Sequence, residues 1–183
     1  QNGGGSRTVT YTNFKNAPYQ ILTGVTWTLY IWKDADLKQI INYNPVAMPD
    51  PNVFTNQGIT WIITPLTSGI QDYWITFQGT NPVPTDGKFT INIPLTFQAI
   101  GSQCLVLAGL KNPDCSVQDT PTAKTIVITL SNPYDPVVDG TINVKFTATN
   151  PATAGNTAQF TLTSNWPTGE KIDESLALGF VQI

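Results

Sequence analysis

Thr125-Ile-Val-Ile-Thr-Leu-Ser-Asn-Pro-Tyr-Asp-Pro-Val-Val-Asp-Gly-Thr-Ile-Asn-Val-Lys-Phe-Thr-Ala-Thr149 holds two strand patterns separated by turn chemistry. In its second half Ile142, Val144, Phe146 and Ala148 alternate with Thr141, Asn143, Lys145, Thr147 and Thr149. A period of two sends one face inward and the other outward, as in half of a β-sandwich. Between the strands, Asn132-Pro133, Asp135-Pro136 and Asp139-Gly140 force the backbone out of regular pairing and supply a turn.

Outward from this stretch the same grammar recurs. After Gly58, short runs suited to strands lie at 59–64, 70–78, 88–93, around the cysteines, and at 125–130, 141–149, 156–164 and 175–183. Pro- and Gly-bearing segments such as Asn81-Pro-Val-Pro-Thr-Asp-Gly87 and Asn165-Trp-Pro-Thr-Gly169 separate them, and Asn-Pro recurs as a turn marker without a fixed period. No segment shows a sustained helical period. Threonine is the commonest residue, and with Ile, Val, Phe, Tyr and Trp it favours a pleated backbone. The expected class is all-β, an immunoglobulin-like antiparallel β-sandwich over residues 48–183 with an extra N-terminal β segment over residues 7–47.

Before Gly58 the pattern is less regular. Residues 1–6 read as a flexible tail or linker. Residues 7–14 alternate and read as a strand, with Thr8, Val9, Thr10 and Tyr11 the candidate donor of a strand to a neighbouring molecule. Leu22 to Trp32 reads as a second strand, and Leu37 to Tyr43 as a further strand or a short helical turn. Residues 44–58, with Pro45, Pro49, Pro51 and Gly58, form the expected boundary. No basic-then-apolar leader precedes Gln1, and no run of about 18 apolar residues occurs to span a membrane.

Of the 183 residues only 11% are charged, and the net charge is −3, so no basic patch is available for the phosphates of a nucleic acid. Low charge with abundant Thr and Asn points to an extracellular or cell-surface setting. No Asn-x-Ser/Thr acceptor is present, so N-glycosylation is not expected. Cys104 and Cys115 read as a disulfide closing a hairpin-like excursion; in a reducing compartment they would be two buried thiols.

The chain has no histidine, which removes the usual general base near neutral pH and every Ser-His or Cys-His arrangement. Two carboxylates suffice for a glycosidase, yet most of the acids sit in turn contexts where Asp bonds its own backbone. The reading is that the chain is not an enzyme and needs no cofactor. Asp135, Asp139, Asp173 and Glu174 are weak calcium candidates, since loop oxygens at one end of a sandwich suit a hard cation; solvated turns account for them as well. Of the five tryptophans, alternation buries Trp61 with Ile59 and Ile63 and turns Trp32, Trp74 and Trp166 outward as interface or glycan contacts.

The segment from Gly58 onward resembles immunoglobulin-like modules repeated in large secreted and surface proteins of single-celled eukaryotes, ciliates above all. The resemblance lies in Thr80-Asn-Pro-Val-Pro-Thr-Asp-Gly-Lys-Phe-Thr-Ile-Asn-Ile-Pro94, Cys104, Cys115-Ser-Val, Thr125-Ile-Val-Ile-Thr129, Ile142-Asn-Val-Lys-Phe-Thr-Ala-Thr-Asn-Pro151, Phe160-Thr-Leu-Thr163 and Ile172-Asp-Glu-Ser175. It implies a structural or adhesive part and brings no catalytic residues. The expected function is a non-catalytic structural module of an extracellular fibre, filament or surface array, assembling with copies of itself or neighbouring modules through β-strand edges. A carbohydrate-binding or adhesion module is the competing expectation, with glycans as partners.

Overall fold

The structure is a computed structural model that describes residues 26–32, 40–47, 53–62 and 64–183, the first two stretches as backbone course only. All regular structure among these residues is β, in eleven strands. Strands β1 (Thr26–Trp32) and β2 (Ile40–Ala47) form an antiparallel two-stranded sheet, so the described part of the stretch from Leu37 to Tyr43, from Ile40 onward, is a strand, and it runs on to Ala47 into the stretch expected as a boundary. Residues 7–14 and the side chain of Trp32 lie outside the described residues.

The remaining strands are β3 (Thr55–Trp61), β4 (Ile70–Gln78), β5 (Lys88–Asn92), β6 (Ala99–Ala108), β7 (Asp114–Thr120), β8 (Ala123–Thr129), β9 (Ile142–Thr149), β10 (Phe160–Asn165) and β11 (Lys171–Gly179). They build a four-stranded sheet in the order β3-β4-β9-β6 and a five-stranded sheet in the order β11-β10-β5-β8-β7, every neighbouring pair antiparallel. This is the expected β-sandwich. Setting the β7–β8 hairpin aside, the order is that of the ABED and GFC sheets of an immunoglobulin constant domain, and the likeness to that fold rests on strand order alone.

The stretch Thr125–Thr149 supplies one strand to each layer. In β8, Ile126 and Ile128 point inward; in β9, Ile142, Val144, Phe146 and Ala148 do, all of them buried. The chain between them crosses from one sheet to the other through the Asn-Pro and Asp-Pro steps.

Aromatic rings join the two layers. Phe89 of the five-stranded sheet lies 5.3 Å from Phe77 of the four-stranded sheet and 5.4 Å from Tyr134. Towards the other end, Tyr73 lies 5.5 Å from Phe146 and 5.6 Å from Phe97, and Phe97 lies 5.7 Å from Phe160. Edge-to-face and offset contacts at these spacings add to area burial. Loop ends are tied down by buried polar groups. Asn150 is fully buried, donates to the Leu66 carbonyl at 2.8 Å and accepts the Tyr73 hydroxyl, whose pKa burial pushes up to about 12 against that bond.

Several strand limits, and the burial of two residues, differ from the sequence reading. The run expected at 156–164 is regular only from Phe160 to Asn165; Asn156 makes an isolated bridge with Gln182. The last strand is Lys171–Gly179 instead of 175–183. Ile59 and Trp61 are half-buried instead of buried, because β3 is an edge strand that only flanks the core. Ile63 lies outside the described residues.

Candidate assembly surface

The sandwich has four edge strands among the described residues: β3 and β6 on one sheet, β11 and β7 on the other. Three of them are irregular. The register of β3 shifts between Thr55 and Gly58, that of β6 shifts at two places, and the β10–β11 pairing also shifts twice. Bulges of this kind twist an edge away from new partners. By contrast β7 pairs with β8 through all of Asp114–Thr120 without a shift.

The disulfide ties this strand to the opposite layer. Cys104 of β6 and Cys115 of β7 are bonded, with Cα atoms 5.9 Å apart. The bridge exists as expected from sequence, but the excursion it closes is not a hairpin: β6 and β7 belong to different sheets, and the bond is a rung between layers. Gly109, at φ +82° just after β6, permits the crossing; a Cβ there would run into the Thr141 carbonyl oxygen. A second tie lies nearer the other end of β7. The Asp119 carboxylate accepts the Ile100 amide at 2.7 Å and the ammonium of Lys124, a side chain only 7% exposed that also donates to the Gln98 carbonyl at 3.3 Å. Lys124 foremost, then the Ile100 amide, holds the Asp119 carboxyl below the usual carboxylate range, with burial opposing.

On the outer face of the four-stranded sheet, Trp74 is half-buried, and the Lys145 ammonium stands over its ring at 5.4 Å. Lys145 also meets the Asp72 carboxylate at 2.6 Å, and the Thr147 hydroxyl donates to the same carboxylate at 2.5 Å. These bonds, Lys145 first, hold Asp72 below its ordinary range. Beside them opens a recess of about 340 Å³ lined by Ile62, Ile70, Gln71, Asp72, Trp74 and Thr147. Trp74 therefore faces outward as alternation required.

Trp166 is elsewhere. It sits in the turn between β10 and β11, its amide donating to the Glu170 carbonyl at 2.8 Å, with its indole Nε1 enclosed. The two tryptophans do not form one platform, since Trp74 lies on the other sheet.

The four acids considered for calcium are committed to other bonds. The Asp173 side chain is fully buried and accepts from the hydroxyl of Thr80 at 2.9 Å, from the Asn81 side-chain amide at 2.7 Å, and from both backbone amides at 3.3 Å. Asp135 and Asp139 hold their own turn: Val137 N donates to Asp135 Oδ1 at 2.9 Å, and Asp135 N donates to Asp139 Oδ2 at 2.8 Å. Glu174 pairs with Lys171 at 2.5 Å. No group of three ligating side chains among the described residues is placed to hold a metal ion. Asp135, Asp139 and Asp173 do surround the Tyr134 hydroxyl, which receives the Gly79 amide at 3.1 Å and donates to the Gly140 carbonyl at 2.8 Å. Its pKa rises to about 12, first by burial and then by the three carboxylates, with the Gly79 bond opposing.

Sequence reasoning missed the Asp119–Lys124 tie and the distinction between a regular and a bulged edge. The first left a signal in Asp119-Thr-Pro-Thr-Ala-Lys124, a tight hairpin placing opposite charges across from each other. The second left none.

No protein-family model matches the chain, and no curated protein matches it in sequence. Among solved structures, the crystal structure of BslA, a bacterial hydrophobin, is similar at 14% identity and a TM-score of 0.38, over 70% of this chain and 98% of that one. The C-terminal domain of the Streptococcus pyogenes antigen I/II-family protein AspA is similar at 12% identity and a TM-score of 0.41, over 79% of this chain and 50% of that one. The chain thus spans about half the length of the streptococcal structure. Neither likeness bears on what this chain does. No helix among the described residues is long and apolar enough to cross a membrane.

Proposed function

We propose that the chain is a non-catalytic structural module of an extracellular fibre, filament or surface array, joined to copies of itself or to neighbouring modules through β-strand edges. The observation that carries this reading is β7: an edge strand in unbroken register with β8, covalently tied near its start to the opposite sheet. A strand added there would gain main-chain hydrogen bonds along seven residues, and load on it would pass to both layers. The candidate donor remains Thr8, Val9, Thr10 and Tyr11. A disulfide in so short a loop suits an oxidising compartment, outside the cell or at its surface. The resemblance to repeated modules of protist surface proteins belongs to the same proposal.

Two perturbations test it, read by light scattering and electron microscopy. Deleting residues 1–20 should abolish assembly and leave a folded monomer; unchanged assembly removes the donor. Pro is then placed at Ser116 and, separately, at Val117. Adjacent residues of an edge strand point their amides to opposite sides, so one of these variants keeps the β7–β8 ladder while blocking the outer side. A folded variant of that kind that assembles normally refutes the edge. The adhesion reading is favoured by one observation, the Trp74 recess, and a glycan array decides it.

A further inference from the structure

Proline is followed at the second residue by threonine at three places in the sequence, Pro65-Leu-Thr67, Pro94-Leu-Thr96 and Pro151-Ala-Thr153, and the fold brings all three to one end of the sandwich. Gln98 donates its side-chain amide to the Ser68 hydroxyl at 2.8 Å, joining the loop of Thr67 to that of Thr96. The Ser68 amide donates to the Pro151 carbonyl at 2.9 Å, joining the same loop to that of Thr153. Each of the three prolines is buried and each of the three threonines is exposed. A proline has a fixed φ and no N–H to leave unsatisfied, so it anchors a loop against the core and restricts how the following residues leave it.

Neither turn chemistry nor hydrogen bonding accounts for threonine at these positions. Thr67 and Thr96 are inner residues of tight turns, closed by Gly69 N on the Leu66 carbonyl at 3.0 Å and by Phe97 N on the Pro94 carbonyl at 3.2 Å. Such positions take Gly, Asn, Asp or Ser by preference, whereas threonine belongs to strands. Where threonine serves a loop elsewhere in this chain its hydroxyl is bonded: that of Thr120 holds Ala123 at 3.0 Å, and that of Thr157 receives the Val181 amide at 2.9 Å. The hydroxyls of Thr67, Thr96 and Thr153 have no hydrogen-bond partner among the described residues. Beside two of them, Leu66 and Leu95 are 70% and 55% exposed, apolar surface that a bulky neutral group on the next residue would cover.

We propose that Thr67, Thr96 and Thr153 are acceptors of O-linked sugar. Exposed threonine beside proline is the composition of O-glycosylated segments, and here it is concentrated at one end of the sandwich. The threonine Oγ1 bonds to the anomeric carbon of an activated sugar phosphate. The bond from that carbon to the phosphate oxygen breaks, the phosphate leaves with the electron pair, and the hydroxyl proton passes to a base of the transferase. The product is a neutral, hydrophilic cap on a chain of which only 11% is charged. Such sugars presuppose the extracellular setting proposed above and are independent of strand-edge assembly.

The full-length protein is recovered from the cells that make it and read by intact mass before and after β-elimination, with fragmentation to locate each sugar. Thr67, Thr96 and Thr153 should carry sugar, while Thr90 and Thr163, half-buried on the outer face of the five-stranded sheet, should not. A chain carrying Thr67→Val, Thr96→Val and Thr153→Val should lose all the added mass and still fold with its disulfide intact. The matching chain with serine at the three positions, which keeps the hydroxyls, should retain that mass. A secreted, disulfide-bonded protein at its bare sequence mass overturns the sites and leaves the extracellular setting standing; a protein held inside the cell with Cys104 and Cys115 as free thiols overturns both. Sugar confined to other threonines overturns the assignment. Binding of a free glycan by unmodified protein, abolished by the valine substitutions, overturns it in favour of a binding surface.

Discussion

Removing the bond between Cys104 and Cys115 should cost the protein a defined amount of stability and loosen one strand more than any other. The sequence separation is 11, and in the chain-entropy treatment a closed loop of that size restricts the unfolded chain by about 2.8 kcal/mol at 25 °C. For a protein of this size that corresponds to a fall in Tm of roughly 6–11 °C. The loss should be uneven. β7 has one ladder partner, β8, so without the rung its polar attachment to the other sheet falls to the Asp119 bond to Ile100. Calorimetry of the native protein, of the reduced protein and of a Cys104→Ala/Cys115→Ala variant measures the global term. Hydrogen exchange of the β7 amides measures the local one. Both forms melting within about 2 °C of the native protein would refute the entropic argument. Equal loss of protection in β7 and in the central strands β5 and β9 would refute the claim that the bond chiefly secures an edge.

Other outcomes follow from buried polar groups. Asp173→Ala leaves four donors from Thr80 and Asn81 without an acceptor in a closed corner and should cost about 3–5 kcal/mol in urea unfolding; Asp173→Asn, which keeps one oxygen, should recover part of it. Tyr134→Phe orphans the Gly79 amide and the Gly140 carbonyl and should cost about 1–3 kcal/mol by the same assay. Asp119 is held below the usual range when folded, whereas the unfolded chain titrates near 3.9. Its contribution is therefore complete above about pH 4 and is lost as pH falls through the lower folded value, so Asp119→Asn should flatten the acid limb of Tm against pH. Lys145→Ala should cost under about 1 kcal/mol and less in high salt, since its pair with Asp72 is partly exposed, at 31% and 38%.

Alternation made much of the sandwich legible because its period is a local property. Ile126, Ile128, Ile142, Val144, Phe146 and Ala148 could be placed inside from the sequence, and so could the outward turn of Trp74. What alternation does not record is which layer a strand joins. A hairpin and a crossing between sheets both read as strand, turn, strand, and so the Cys104–Cys115 bond was expected within a hairpin and lies between layers. The end of the chain was misplaced for a related reason. Asp173 looks like a turn acid, yet it is buried in β11, because its partners Thr80 and Asn81 are more than ninety residues away in sequence. The recess at Trp74 needs Ile62, Ile70 and Thr147 from three separate segments, and no local pattern announces their meeting.

The placement of the sulfur bridge gives the two layers unequal freedom to part. At the β6 and β7 margin they are bound like pages at a spine; at the β3 and β11 margin they meet through side chains, with Ile59 against Gly179 as one point of closure. Thermal breathing should therefore swing the sheets open from the unbound margin, bringing water first to Phe160 and Val181. A protease would then find its first cut in β3 or β11, while the margin offered to a neighbouring molecule stays intact.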